Sequence, residues 1–192
     1  LTHGYFGGGS ASGARSMVDR VDYSNDTATA TEKGPLTSAK WYLCGFGTKD
    51  YGYITAGFPG VGRTTVDRID YTNDTAPASP KGNLLHTDEN QGALGNTDYG
   101  YWAAGNNNVG VMRYSLVERI DFNNDTPTAS PRGNLAAIRY NGGGTGNTGF
   151  GYHGAGRNSG VGPSAISAMD RVDYANDSAV AAPKGPVTLG RW

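Results

Sequence analysis

Few side chains in this 192-residue chain could do chemistry, and most of those come in four copies. An acid–arginine step recurs as Asp19-Arg20, Asp67-Arg68, Glu118-Arg119 and Asp170-Arg171. The leading expectation is a set of structural ion pairs and backbone hydrogen bonds between repeats. The competing one is a row of binding-site arginines, since a planar guanidinium suits carboxylates and sugars. A second quadruplet, Asn-Asp-Thr or Asn-Asp-Ser, begins at Asn25, Asn73, Asn124 and Asn176. Asn-Asp makes a tight hairpin turn because both residues tolerate left-handed backbone. Each triplet is also an acceptor sequence for N-glycosylation. Calcium is a third option, with Asp22, Asn25 and Asp26 as oxygen donors, but the ordered Asp-x-Asp-x-Asp-Gly spacing is missing. A single active site does not need four copies of itself, so presence in every copy favours architecture.

The singular groups offer less. His3, His86 and His153 occupy three different contexts with no His-x-x-x-His spacing, so no metal site and no cofactor are expected. Cys44 is alone, which excludes a disulfide framework, and its apolar neighbours suggest a small buried hydrophobe. Gly142-Gly-Gly-Thr-Gly-Asn147 looks like a phosphate cradle but has no lysine and no following helical pattern, so it reads as strand and turn. No nucleophile elbow or phosphate loop is present, so no catalytic residue is assigned and a non-enzyme is expected.

The elements that position these groups follow from the repeat. Val18-Asp-Arg-Val-Asp-Tyr-Ser-Asn-Asp-Thr27 returns from Val66, from Val117 and from Met169. A period of about 40–50 residues indicates a propeller or solenoid, whose units bury their apolar faces only by stacking. The repeats run approximately over residues 1–39, 40–87, 88–138 and 139–192, as one array. In the unit from Lys40, residues 40–46 and 51–56 form two strands and residues 65–71 a third with period-two alternation. Residues 75–79 form a weak outer strand, since proline is confined to sheet edges, and residues 80–83 turn toward the next unit. The expected fold is all-β: a β-propeller of antiparallel four-stranded repeats, either by itself or as part of a larger propeller. Gly9, Gly57, Gly105 and Gly156 close the second strand of each copy, where positive φ and close backbone approach are expected. Leu1 aligns with Lys49 and Trp192 with Trp41, so neither end supplies the segment equivalent to residues 42–48. Further repeats beyond one or both ends are expected, or a strand donated by a neighbouring chain.

Glycine supplies 31 of the 192 residues, and charged residues only 17%. High glycine without a Gly-X-Y period fits many short strands and tight turns. The formal net charge of −1 leaves no basic footprint for nucleic acid. No apolar run is long enough for a membrane-spanning helix, so membrane insertion is not expected.

These motifs resemble the kelch repeat. Tyr5-Phe-Gly-Gly-Gly9 looks like its glycine pair, Asp22-Tyr23 like its acidic–aromatic step, and Pro35-Leu-Thr-Ser-Ala-Lys40 like its closing turn. Where that pattern carries a Trp after the polar turn, this chain has Thr29, Ala78, Thr128 and Val180. The wording of the repeat is also similar to repeat proteins of marine phages and uncultured aquatic microbes. That resemblance implies a virion, tail-fibre or surface component, located on a virion or outside the cell.

Function is expected where the copies differ. The loop after the second strand spans residues 10–16, 58–64, 106–114 and 157–167, and on a propeller these loops share one rim. Asn106, Asn107, Asn108, Arg113, Tyr114, Arg157 and Asn158 combine amide, guanidinium and aromatic groups, an adaptable contact vocabulary. The expected partner is a surface glycan or another subunit of an assembly, with the protein oligomeric or part of a larger chain. The alternatives are a glycosylated extracellular filament or matrix subunit and, less favoured, a carbohydrate-active enzyme.

Overall fold

The period-two stretches become strands in a computed structural model that describes residues 2–55, 57–58, 64–86, 91–107, 112–158 and 164–192. Four antiparallel sheets follow one another along the chain. The first sheet holds β1 (His3–Gly7), β2 (Val18–Asp22) and β3 (Thr31–Lys33). The second holds β4 (Cys44–Gly47), β5 (Tyr51–Thr55), β6 (Val66–Asp70) and β7 (Ser79–Lys81). The third holds β8 (Gly92–Gly95), β9 (Tyr99–Ala103), β10 (Val117–Asp121) and β11 (Ser130–Arg132). Next, β12 (Arg139–Tyr140) pairs with the later β15 (Arg157–Asn158) as a short ribbon. The fourth sheet holds β13 (Gly143–Gly146), β14 (Phe150–Gly154), β16 (Met169–Asp173) and β17 (Ala182–Lys184). The only helical segments among the described residues are two single 3₁₀ turns, Tyr71–Asn73 and Tyr174–Asn176.

The sheets are meanders, each strand paired with its sequence neighbour in the sheet, and among the described residues no strand pairing joins the first sheet to the fourth. The first sheet has three strands, with β1 at its edge where the other sheets carry β4, β8 or β13. The core lies between sheets and not within them. One cluster joins Val18 and Leu36 to Ile54, Ile69 and Ala78. A second joins Tyr53, Val66 and Leu84 to Trp102, Ile120 and Ala129. A third joins Leu94, Tyr101, Val117 and Leu135 to Val172 and Ala181. Each of the first three sheets therefore buries apolar side chains against the next, as a repeat array requires.

The strand-closing glycine adopts positive φ in all four copies: 102° at Gly9 and Gly57, 109° at Gly105 and 95° at Gly156. An L-residue is strained there, and at Gly57 and Gly156 the space is also tight. A Cβ on Gly57 or Gly156 would press on the carbonyl of Trp41 or Tyr140. Gly9, Gly105 and Gly156 donate their amides to the carbonyls of Lys40, Arg139 and Arg191, tying the end of one strand to an incoming connection.

Two strand expectations need correction. The first strand of the second sheet is Cys44–Gly47, shorter than residues 40–46. Lys40 and Trp41 instead bridge to Arg15 and Phe58, and Tyr42 turns the chain with φ of 53°. The outer strand is Ser79–Lys81 and contains Pro80, in place of residues 75–79. The reason is tertiary. Gly34 donates to the Asp74 carbonyl and Ala78 to that of Pro35, so residues 74–78 belong to the junction with the preceding sheet.

Candidate functional site

Strand register builds the charged sites. Antiparallel pairing places Tyr5 opposite Arg20, Tyr53 opposite Arg68, Tyr101 opposite Arg119 and Tyr152 opposite Arg171. Cross-strand partners share a face, so every sheet presents a phenol beside a guanidinium. In the first three sheets this pair grips an aspartate from the Asn-Asp-Thr or Asn-Asp-Ser turn of the next. Asp74 accepts from the Tyr5 hydroxyl at 2.9 Å and from Arg20 at 2.7 Å, with Lys33 at 3.2 Å. Asp125 accepts from Tyr53 at 3.0 Å and Arg68 at 2.7 Å, with Lys81 at 3.2 Å. Asp177 accepts from Tyr101 at 2.9 Å and Arg119 at 2.7 Å, with Arg132 at 3.2 Å. Each clamp is backed by an aromatic stack between sheets: Tyr5 on Tyr71 at 4.6 Å, Tyr53 on Phe122 at 4.7 Å and Tyr101 on Tyr174 at 4.8 Å.

The electrostatics follow. Burial raises the Asp74 carboxyl, but hydrogen bonds from Tyr5, Lys33 and Arg20 outweigh it and hold the group below the ordinary carboxylate range. Burial, and then the bonded carboxylate, push the Tyr53 and Tyr101 phenols far above their usual value. They are hydrogen-bond donors and not nucleophiles.

The arginines of the acid–arginine steps thus pair across sheets, but not with the acids beside them in sequence. The acids point the other way, into the core. Asp67 and Lys40 form an ion pair at 3.0 Å with both side chains fully buried, and Thr37 donates to Asp67 through its amide and hydroxyl. Glu118 accepts from the Leu85 amide at 3.2 Å and lies 3.1 Å from His86 Nδ1. Asp170 pairs with buried Arg139 and accepts from the Ala136 amide. Burial raises the Glu118 and Asp170 carboxyls despite these partners. Asp19, in the three-stranded sheet, is half-buried. Each of the three buried acids fastens the connection that precedes an inner strand or leads toward one.

The four acceptor asparagines, Asn25, Asn73, Asn124 and Asn176, are all exposed. Thr27, Thr126 and Ser178 donate to the side-chain oxygens of Asn25, Asn124 and Asn176. No group of three or more His, Cys, Asp or Glu side chains among the described residues could hold a metal ion.

Sequence reasoning missed the turn aspartate. The signal was present: turn chemistry accepts Asn, Ser or Gly at that position, yet all four copies carry Asp. It also missed His153, which is fully buried where the other sheets carry Phe6, Ile54 or Trp102. Its ring fits because Gly92 and Gly142 lack side chains on either side. Burial first, and then the Arg139 charge, lower its pKa to about 3, so it is neutral in the fold.

The variable loops do converge. Arg113 lies over the Tyr140 ring at 4.9 Å, Arg157 approaches the same ring at 5.9 Å, and Arg157 also covers Trp192 at 4.3 Å. Loops of the third and fourth sheets thereby share one cationic–aromatic cluster. Asn106 bridges to Arg113, the Asn107 amide donates to the Met112 carbonyl, and the Asn107 side chain donates to the Tyr114 hydroxyl at 3.2 Å. Tyr114 packs on His86 at 5.0 Å. Asn158 lies in β15 opposite Arg139. Asn108 lies outside the described residues. A separate groove of about 540 Å³ runs between β1 and β4, lined by Phe6, Leu43, Phe46, Ile54 and Tyr71.

No protein-family model matches the sequence, and no curated protein is similar to it in sequence. In fold the chain is similar to the structure of YjhT, with a TM-score of 0.74 at 11% identity, over 99% of this chain and 69% of that one. At that identity the likeness concerns the fold alone.

Proposed function

We propose that this chain is a non-enzymatic structural and binding module, a kelch-like β-propeller array that contacts a surface glycan through loops on one rim. The observation that carries this reading is a division of labour. Most of the residues present in every copy are used inside the fold: Asp74, Asp125 and Asp177 in the clamps, and Asp67, Glu118 and Asp170 on the connections. Two variable-loop arginines, Arg113 and Arg157, gather with Tyr140 and Trp192 into one cluster. Aromatic faces stack on sugar rings, and guanidinium groups donate paired hydrogen bonds to carboxylates and vicinal hydroxyls. The resemblance in repeat wording to phage and aquatic microbial proteins supports a virion or tail-fibre setting.

The test is saturation-transfer NMR with neutral and acidic oligosaccharides on the whole chain. Transfer to an oligosaccharide, reduced at least about tenfold in Arg113→Ala and Arg157→Ala, is expected. Transfer unchanged in both variants refutes the loop assignment.

A second reading, a glycosylated extracellular filament subunit, rests on one observation: each acceptor asparagine is exposed, whereas the neighbouring Asp74 and Asp125 are buried. Intact mass of the native protein decides it, because glycosylation would add discrete hexose-sized increments lost in Asn73→Gln.

A further inference from the structure

The fourth sheet carries the full clamp and, among the described residues, grips no aspartate with it. Tyr152 and Arg171 sit opposite each other in β14 and β16, and Lys184 ends β17 as Lys33 and Lys81 end β3 and β7. Among the described residues no ion pair reaches Arg171 or Lys184, while Arg171 lies over the Phe150 ring at 4.2 Å and so is held in place. A cavity of about 460 Å³ lined by Tyr152, Met169, Val187 and Trp192 opens beside the Tyr152 arm of the clamp. The matching half is displayed by the first sheet. Asp26 is exposed, and Tyr23, equivalent to the stacked Tyr71, Phe122 and Tyr174, is 60% exposed.

The three occupied junctions state what the fourth would contain. At each, a glycine after the outer strand donates to the carbonyl of the clamped aspartate: Gly34 to Asp74, Gly82 to Asp125 and Gly133 to Asp177. The same glycines abut the carbonyl two residues further on, at Ala76, Pro127 and Ala179, where no side chain would fit. Gly185 has the equivalent place after β17, with nothing within 4 Å of its added Cβ. Its partners by position are Asp26 and Ala28.

We propose that the open face of the fourth sheet binds the 23–28 turn of a second copy of this chain, giving head-to-tail association. Asp26 of one copy enters the Tyr152–Arg171–Lys184 clamp of the other, Tyr23 stacks on Tyr152, and Gly185 closes on the Asp26 and Ala28 carbonyls. The second copy is the favoured occupant because it carries the required turn exposed, with the aromatic and the carboxylate at the spacing seen three times in the fold. The contact is heterologous, so it extends unless rotation closes it. The inference does not depend on the loops or on any glycan.

Two single variants test it by complementation. Asp26→Asn keeps the clamp and loses the carboxylate; Arg171→Met keeps the turn and the packing on Phe150 but loses the guanidinium. Sedimentation velocity over a range of concentrations is expected to show the wild type growing in size and each variant alone monomeric, its association weakened about a hundredfold or more. An equimolar mixture of the two variants should form a heterodimer that goes no further, because each partner retains only one working half. Far-UV circular dichroism confirms that both fold; Lys184→Ala substitutes for Arg171→Met if that variant does not. A monomeric wild type overturns the proposal, whether the cause is closure within one chain or a different occupant. So do variants that associate as the wild type does, or a mixture that stays monomeric.

Discussion

A motif repeated in every unit need not do the same job in each. Asp26, Asp74, Asp125 and Asp177 stand at equivalent positions, but only the last three are gripped by a preceding sheet. Asp125→Ala should destabilise the fold by about 3 kcal/mol, since it strands the buried Tyr53 hydroxyl and leaves Arg68 and Lys81 unpaired. Asp26→Ala should change stability by less than about 0.5 kcal/mol in the monomer, as expected of an exposed site. Urea unfolding of both variants at low protein concentration reads the contrast. His153 has an acid signature. Its folded pKa of about 3 lies below the ordinary histidine value of 6.5, so on acidification the unfolded chain binds the proton first. Stability is therefore lost as pH falls from 6.5 toward 3, at up to about 1.4 kcal/mol per pH unit. His153→Leu should lack that component, and the difference between the two stability–pH curves measures it. Identical curves would mean that the ring is hydrated in the fold.

At the level of the elements, each sheet is incomplete by itself and is finished by the next. The outer strand shows how. The sequence misplaces its boundary because residues 75–79 look like a weak strand of their own repeat, while Asp74 and Ala78 hydrogen-bond to residues 34 and 35 of the previous one. Local pattern cannot reveal that. The glycine after each outer strand offers a direct check. Gly82→Ala puts a methyl into the Pro127 carbonyl, backbone that cannot swing aside, and should cost about 2–3 kcal/mol. Gly185→Ala meets nothing within 4 Å and should be neutral in the monomer, although the residue follows the same Pro-Lys or Pro-Arg pair. Thermal unfolding of the two variants separates them, and equal losses would remove the claim that this glycine acts through the junction.

Across the whole molecule, the chain presents two unlike faces. Among the described residues the first sheet ends in the unpaired edge of β1, where Phe6 is 69% exposed although its counterparts Ile54, Trp102 and His153 are at most 7% exposed. The fourth ends in an unfilled clamp. An open edge loses protection because its amides face solvent. Hydrogen exchange of the monomer should therefore find β1 amides exchanging at least about tenfold faster than those of β5 and β9, which are paired on both edges. Equal protection along all three strands would show that something covers β1.

The sequence by itself determined the all-β class, the positive-φ glycines and the strand that carries the acid–arginine step in each sheet. Those properties follow from local chemistry, namely period-two alternation, turn residues and the freedom of glycine, repeated often enough to be read four times over. The family-level expectations of a kelch-like propeller and of a phage or surface role came from resemblance and stand as proposals. Only the tertiary structure decided which charges meet. Arg68 lies beside Asp67 in the chain yet binds Asp125, because successive residues of a strand point to opposite faces and each face meets a different neighbour. Adjacency in sequence says nothing about that choice; the stacking of one sheet on the next does.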